Sequence, residues 1–140
     1  MNKLFTPILL LILFFFISTT DGHAGQPSAS DAIIAAEKFL ETIDKNDFSQ
    51  AWNQTGVINQ SYSEHPDWFK KLLAVRPRLG QVINRSLDKV SHHDSWVGLP
   101  DGDYLRVSFQ TVFHNKADSL ETVVLIREQE RWQVSSYHLR

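Results

Sequence analysis

Apolar residues recur first at helical spacing along the chain and then, from Gly80 onward, at every second position. That switch predicts helices in the first half and strands in the second. Ile33, Ala36, Leu40 and Ile43, widened by Phe39, form one stripe behind Ser30, which can cap, and Asp31, which suits a first turn. A helix over 31–44 is expected from them. Asp44-Lys45-Asn46-Asp47 breaks the stripe, and Phe48, Ala51 and Trp52 outline a short second helix. After a polar, turn-rich stretch over 53–62, a third helix is expected from near Ser63, carrying Trp68, Leu72, Leu73 and Val75 and stopping at Pro77.

The sheet half reads as four strands. The first spans 81–90, and a loop over 91–103 containing Pro100-Asp101-Gly102 follows it. The second is the clearest, with Leu105, Val107, Phe109, Thr111 and Phe113 alternating with Tyr104, Arg106, Ser108, Gln110 and Val112. Turns at 115–118 and 128–131 separate it from strands over 119–127 and 132–139, which implies an antiparallel meander. Helices first and strands afterwards predict an α+β domain over 31–140, with about three helices packed on one face of a curved four-stranded antiparallel sheet.

The first residues fall outside that domain. Lys3 precedes an apolar run over 4–17 interrupted only by Thr6 and Pro7. A membrane-spanning helix needs about 20 apolar residues, whereas a signal-peptide core is shorter. Gly22 and Ala24 place small residues where a signal peptidase reads, so cleavage after Ala24 and a periplasmic or secreted product are expected. Residues 25–30 then form a small-residue and proline linker.

The chain has 140 residues, a formal charge of −2 and no cysteine. Stability therefore rests on packing and hydrogen bonds rather than disulfides, and lipidation at a processed N-terminal cysteine is excluded. The charge balance points to no nucleic-acid or anionic-membrane partner.

Ala35-Ala36-Glu37 with Phe39-Leu40, Asp47-Phe48 and Ala51-Trp52, then Val75-Arg76 with Leu79-Gly80, resemble the exported bacterial domain of unknown function 4019 family. Pro100-Asp101-Gly102 with Tyr104, then Phe109, Thr111 and Phe113, Asn115-Lys116, Glu121-Thr122-Val123, and Trp132 with Val134, Tyr137 and Arg140 continue the resemblance. It implies export and brings no catalytic residue. The order of elements is similar to the nuclear transport factor 2-like fold, which implies a cone-shaped interior and, because one fold hosts many functions, no particular activity.

The candidate chemistry depends on strand register. Pairing the middle hairpin across an even turn places Phe113 opposite Leu120, Thr111 opposite Thr122 and Phe109 opposite Val124, on the face the helices cover. An odd final loop adds Trp132, Val134, Ser136 and His138 to that face, so that Thr111, Thr122, Ser136 and His138 line a pocket end. An even loop instead sets His138 beside Glu121 on the opposite face as an acid–base pair. Structural threonine pairs and Glu–His pairs offer a plainer account of both arrangements.

Arg76, Arg78 and Arg85 gather at the helix-to-sheet junction, where they can receive an anion, cap helix carbonyls or pair with glutamate. His92-His93-Asp94 and His65 read as solvated groups, because adjacent residues rarely face one metal ion. Trp96 lies in the 91–103 loop, exposed as a contact or folded back over the sheet. The sequence carries no Gly-x-Ser-x-Gly, phosphate-cradling or dinucleotide motif.

The leading expectation is a non-enzymatic module binding a small ligand or a protein, without cofactor or metal. A small isomerase or dehydratase using His138 with Glu121 or a nearby aspartate is the alternative. A third is self-association through the sheet face bearing Tyr104, Arg106, Gln110 and Val112.

Overall fold

A computed structural model describes residues 27–62 and 64–140. The expected signal peptide, residues 1–24, lies outside the described residues. Helix α1, Ala29–Asp44, begins two residues earlier than its hydrophobic stripe implies, because Ser28 rather than Ser30 caps it. The Ser28 hydroxyl accepts from the Asp31 amide at 3.3 Å while the Asp31 carboxylate accepts from the Ser28 amide at 2.7 Å. This reciprocal box satisfies amide groups that a helix start leaves open and removes the end of the expected linker. Ala32, Ala36, Phe39, Leu40 and Ile43 form its buried face.

Asn46, at φ 57°, turns the chain, and Asp47 caps α2, Phe48–Asn53, by accepting from the Gln50 amide at 3.1 Å. The stretch read as turn-rich contains a further short helix, α3, Val57–Gln60. The next helix, α4, spans Asp67–Val75 and passes into a 3-10 turn over Arg76–Arg78. Among the described residues the helical half therefore holds four α-helices where about three were expected. Four residues make one turn, too few for hydrophobic spacing to register. Gly80, at φ +75°, then redirects the chain. A Cβ there would approach that of His114 to 3.1 Å, so glycine suits the position sterically as well as conformationally.

Strands β1, Val82–His93, β2, Tyr104–Phe113, β3, Lys116–Glu128, and β4, Arg131–Leu139, form one antiparallel sheet in the order β1-β2-β3-β4. The α+β class and the open four-stranded antiparallel sheet match the sequence pattern. The registers do not. The β2–β3 turn is only His114-Asn115, with Phe113 opposite Lys116, and a bulge between Thr111 and Phe113 shifts the pairing again. Thr111 consequently faces Ser119, and Phe109 faces Glu121.

The β3–β4 turn is also short. Gln129 and Glu130 both take positive φ, 47° and 60°, as a type I′ hairpin requires. Leu125 then faces Val134, but a second bulge at Ser135 brings Val123 opposite Tyr137 and Thr122 opposite His138. Before the bulge the pairing follows the even turn, and beyond it Ser136 and His138 share a face with Val124 and Thr122 as the odd register has it, so neither expected register holds along the whole hairpin. The buried Asn59 side chain stabilises this bulge by donating to the Val134 carbonyl at 3.1 Å and the Ser135 carbonyl at 2.9 Å.

Helix α1 packs across β2, β3 and β4, and α4 packs on β4. Phe39, Leu40, Phe69, Leu72, Val107, Phe109, Val123, Leu125, Val134 and Tyr137 fill the space between the layers. On the other sheet face Tyr104, Val124 and Ile126 are covered by Ile58, Trp96 and Leu99, and the Tyr104 hydroxyl donates to the Pro100 carbonyl at 2.6 Å. Trp96 is thus folded over the sheet. Tyr104, expected on a self-association surface, is buried beneath the chain's own loop.

Candidate functional site

Glu121 is the most informative polar residue of the helix-facing side. Its side chain is fully buried, yet it accepts from Arg85 Nε at 2.8 Å, Arg85 Nη2 at 2.7 Å, Thr111 Oγ1 at 2.6 Å and Tyr137 OH at 2.7 Å. Four donors fill the lone pairs of a carboxylate, which makes a buried charge tolerable. Arg85 reaches on to Asp44, donating to Oδ2 at 2.7 Å and Oδ1 at 3.0 Å. Asp44 also receives Arg76, which donates in addition to the Gly80 carbonyl at 3.2 Å and lies 4.5 Å over the Phe113 ring.

Asp44 ends α1, where the helix dipole disfavours an acid, and the two arginines offset that cost. The lock ties α1, the 3-10 turn and all four strands together. Burial opposes the charge of Arg85, but its hydrogen bonds to Asp44 and the charge of Glu121 outweigh it and raise the guanidinium above its ordinary value. Burial, followed by the charge of Glu121, pushes the Tyr137 phenol well above its usual range, so it remains a neutral donor.

This geometry corrects several expectations. Glu121 belongs to the inner face and His138 to the outer one, so they form no acid–base pair. Thr122 and His138 are cross-strand partners on that outer face, whereas Thr111 is bound to Glu121 on the inner one. Ser136, opposite Val124, is buried without a hydroxyl partner among the described residues. Thr111, Thr122, Ser136 and His138 therefore do not line one pocket end. Arg76 and Arg85 are held by carboxylates.

A cleft of about 700 Å³ opens beside the lock, where α4 passes the edge of β4. Trp68, Leu72 and Val75 of α4 and Leu139 of β4 supply apolar walls, together with Trp96. Lys71, Arg106, His138 and Arg140 bring basic groups to it, while Asp67 is the sole acid in its lining. Tyr137 and Arg76 belong to both the cleft and the lock. Of the seven residues singled out in the sequence, Thr122, His138 and Arg76 reach this cleft.

His138 is exposed, and its imidazole is held below the ordinary histidine value first by partial desolvation and then by the charges of Lys71, Arg106 and Arg140. Elsewhere, His92 contacts Asp103 at 2.6 Å, and His93 contacts Ser91 at 3.0 Å and the Trp96 ring. The His65 ring packs on Trp52 and Phe69. No group of three or more potential metal ligands converges among the described residues.

The sequence pattern marks none of Asp44, Lys71 and Tyr137 as a site residue, and Arg106 only as part of a self-association face. An acid closing an amphipathic helix is a signal that could have marked Asp44 as awaiting a cation. The others depend on the register.

Fold and site together define an α+β protein with an open four-stranded antiparallel sheet, α1 and α4 on one face of it, and a cleft at the sheet edge. The chain belongs to the family described as protein of unknown function (DUF4019), whose model matches residues 35–137. No curated protein and no solved structure matches it. Among the described residues no helix is long and apolar enough to cross a membrane.

Proposed function

We propose that this chain is an exported, non-enzymatic module that binds a small ligand in the cleft between α4 and β4. The observation that carries this reading is the cleft itself. Its volume of about 700 Å³ falls in the range of small-molecule sites, roughly 300–1,000 Å³, and its walls combine apolar side chains with a few polar ones. Among the described residues the cleft brings no nucleophile to a base: Glu121 is saturated by donors inside the lock, and His138, in the cleft lining, has Lys71, Arg106 and Arg140 as charged neighbours and no hydrogen-bonded carboxylate. The helices-then-sheet order supports a nuclear transport factor 2-like arrangement, with the ligand entering at the open edge of the cone.

Export rests on the short apolar run over 4–17 and the small residues before Ala24. Intact-mass measurement of the product outside the cytoplasm is expected to give a chain starting near Gly25, and a mass retaining residues 1–24 refutes cleavage. For the cleft, indole resonances of Trp68 and Trp96 are followed by NMR against a chemically mixed panel of small molecules. Binders should move these signals in the wild type but not in Val75→Trp, which plugs the cleft from a wall position that is 42% exposed. A panel that moves neither indole, or moves both equally in Val75→Trp, refutes the cleft as a binding site.

A further inference from the structure

We propose that the occupant of this cleft is a small amphipathic anion, with its apolar body against Trp68, Leu72 and Leu139 and its anionic head among Lys71, Arg106 and Arg140. The inference deepens the binding-module reading and rests on it.

Three observations point to the class of ligand. The first is an excess of positive charge: four of the lining residues are Lys or Arg against one Asp, on a chain whose formal charge is −2. The second is that these cations lack anions. Arg76 ends on Asp44, but Lys71, Arg106 and Arg140 have no side-chain hydrogen bond or ion pair with an acid among the described residues. Guanidinium groups are suited to carboxylate or phosphate oxygens, which they grip with two parallel hydrogen bonds.

The third observation is a pair of buried donors without acceptors, Trp68 Nε1 and Arg76 Nε. Both belong to residues lining the cleft, and the Arg76 side chain is only 3% exposed. Buried donors left unpaired are costly, and a small shift of either side chain would present its donor to a polar group in the cleft. After desolvation, which is the largest cause, the depressed imidazole of His138 reflects the same convergence of cations from α4, β2 and the end of the chain. Apolar walls next to such a rim select for a molecule with both characters. An inorganic anion would leave the walls wet, and a neutral apolar molecule would leave the rim unmatched.

The probes are decanoate, decanol, decyltrimethylammonium and acetate, titrated into the purified protein below their aggregation limits and followed by Trp fluorescence and calorimetry. Decanoate should bind saturably, while the other three should bind at least tenfold more weakly. Arg106→Gln and Lys71→Gln should each weaken decanoate about three- to tenfold, which is ~0.7–1.4 kcal/mol, and leave the thermal midpoint in place. Decanol binding as tightly as decanoate, with no response to Arg106→Gln, overturns the anionic head and leaves the cleft reading intact. Acetate equalling decanoate overturns the apolar body. If none of the four binds, the amphipathic anion is overturned, and the mixed panel against Val75→Trp separately decides whether the cleft binds anything.

Discussion

Arg76 and Arg85 each end on a carboxylate inside the fold, whereas Lys71, Arg106 and Arg140, gathered around the adjoining cleft, end on none among the described residues. Tyr137 belongs to both regions, with its hydroxyl on Glu121 and its side chain in the cleft wall. The two sets of cations share a neighbourhood and differ in what neutralises them. Where the chain supplies its own acid, the charge holds elements together and is closed to outside molecules. Where it supplies none, the charge stays available to a ligand.

Breaking the lock should have the largest effect. Glu121→Ala leaves Arg85 with the Asp44 carboxylate alone and takes the shared acceptor from the Thr111 and Tyr137 hydroxyls, and is expected to cost about 3–5 kcal/mol, read from denaturant midpoints. Replacing Glu121 and Arg85 together by leucine and methionine should recover much of that loss, because two matched charges are removed at once. A single mutant as stable as wild type would show that the lock carries no structural load.

The contrast sharpens when one residue from each sheet face is removed. Phe109, 2% exposed in the core, should cost about 3–5 kcal/mol on truncation to alanine through the cavity it leaves. Arg106→Ala, on the cleft side, should stay within about 0.5 kcal/mol, since no partner inside the chain is lost. Equal shifts in denaturant midpoint for the two variants would mean that Arg106 is structural rather than free.

The smallest effect concerns His138. Its protonated form is disfavoured in the folded chain, so its contribution to stability is complete above about pH 6.5 and is lost as pH falls through the lowered folded value. Wild type should therefore lose stability relative to His138→Gln on acidification. Lys71, Arg106 and Arg140 oppose the proton, while Asp67 is the acid in the same cleft. Arg106→Gln should move the His138 NMR titration midpoint upward, and so should a bound anion. An unchanged midpoint in Arg106→Gln would separate the histidine from the cationic rim.

The hydrophobic pattern by itself determined the α+β class, the helix of Phe39, Leu40 and Ile43, and the alternation from Tyr104 to Phe113, because each follows from local spacing. It could not place the faces of the later strands. Their two-residue turns use His114-Asn115 and Gln129-Glu130 instead of an Asn-Gly or Asp-Gly signal, and their bulges leave no mark in the alternation. One inserted residue moves every side chain beyond it to the other face. Only the tertiary structure therefore decided that Glu121 points inward. Four donors from three other strands make that carboxylate tolerable, and no local pattern records their convergence. The cleft was hidden for the same reason, since α4, β2 and β4 meet there from distant parts of the chain.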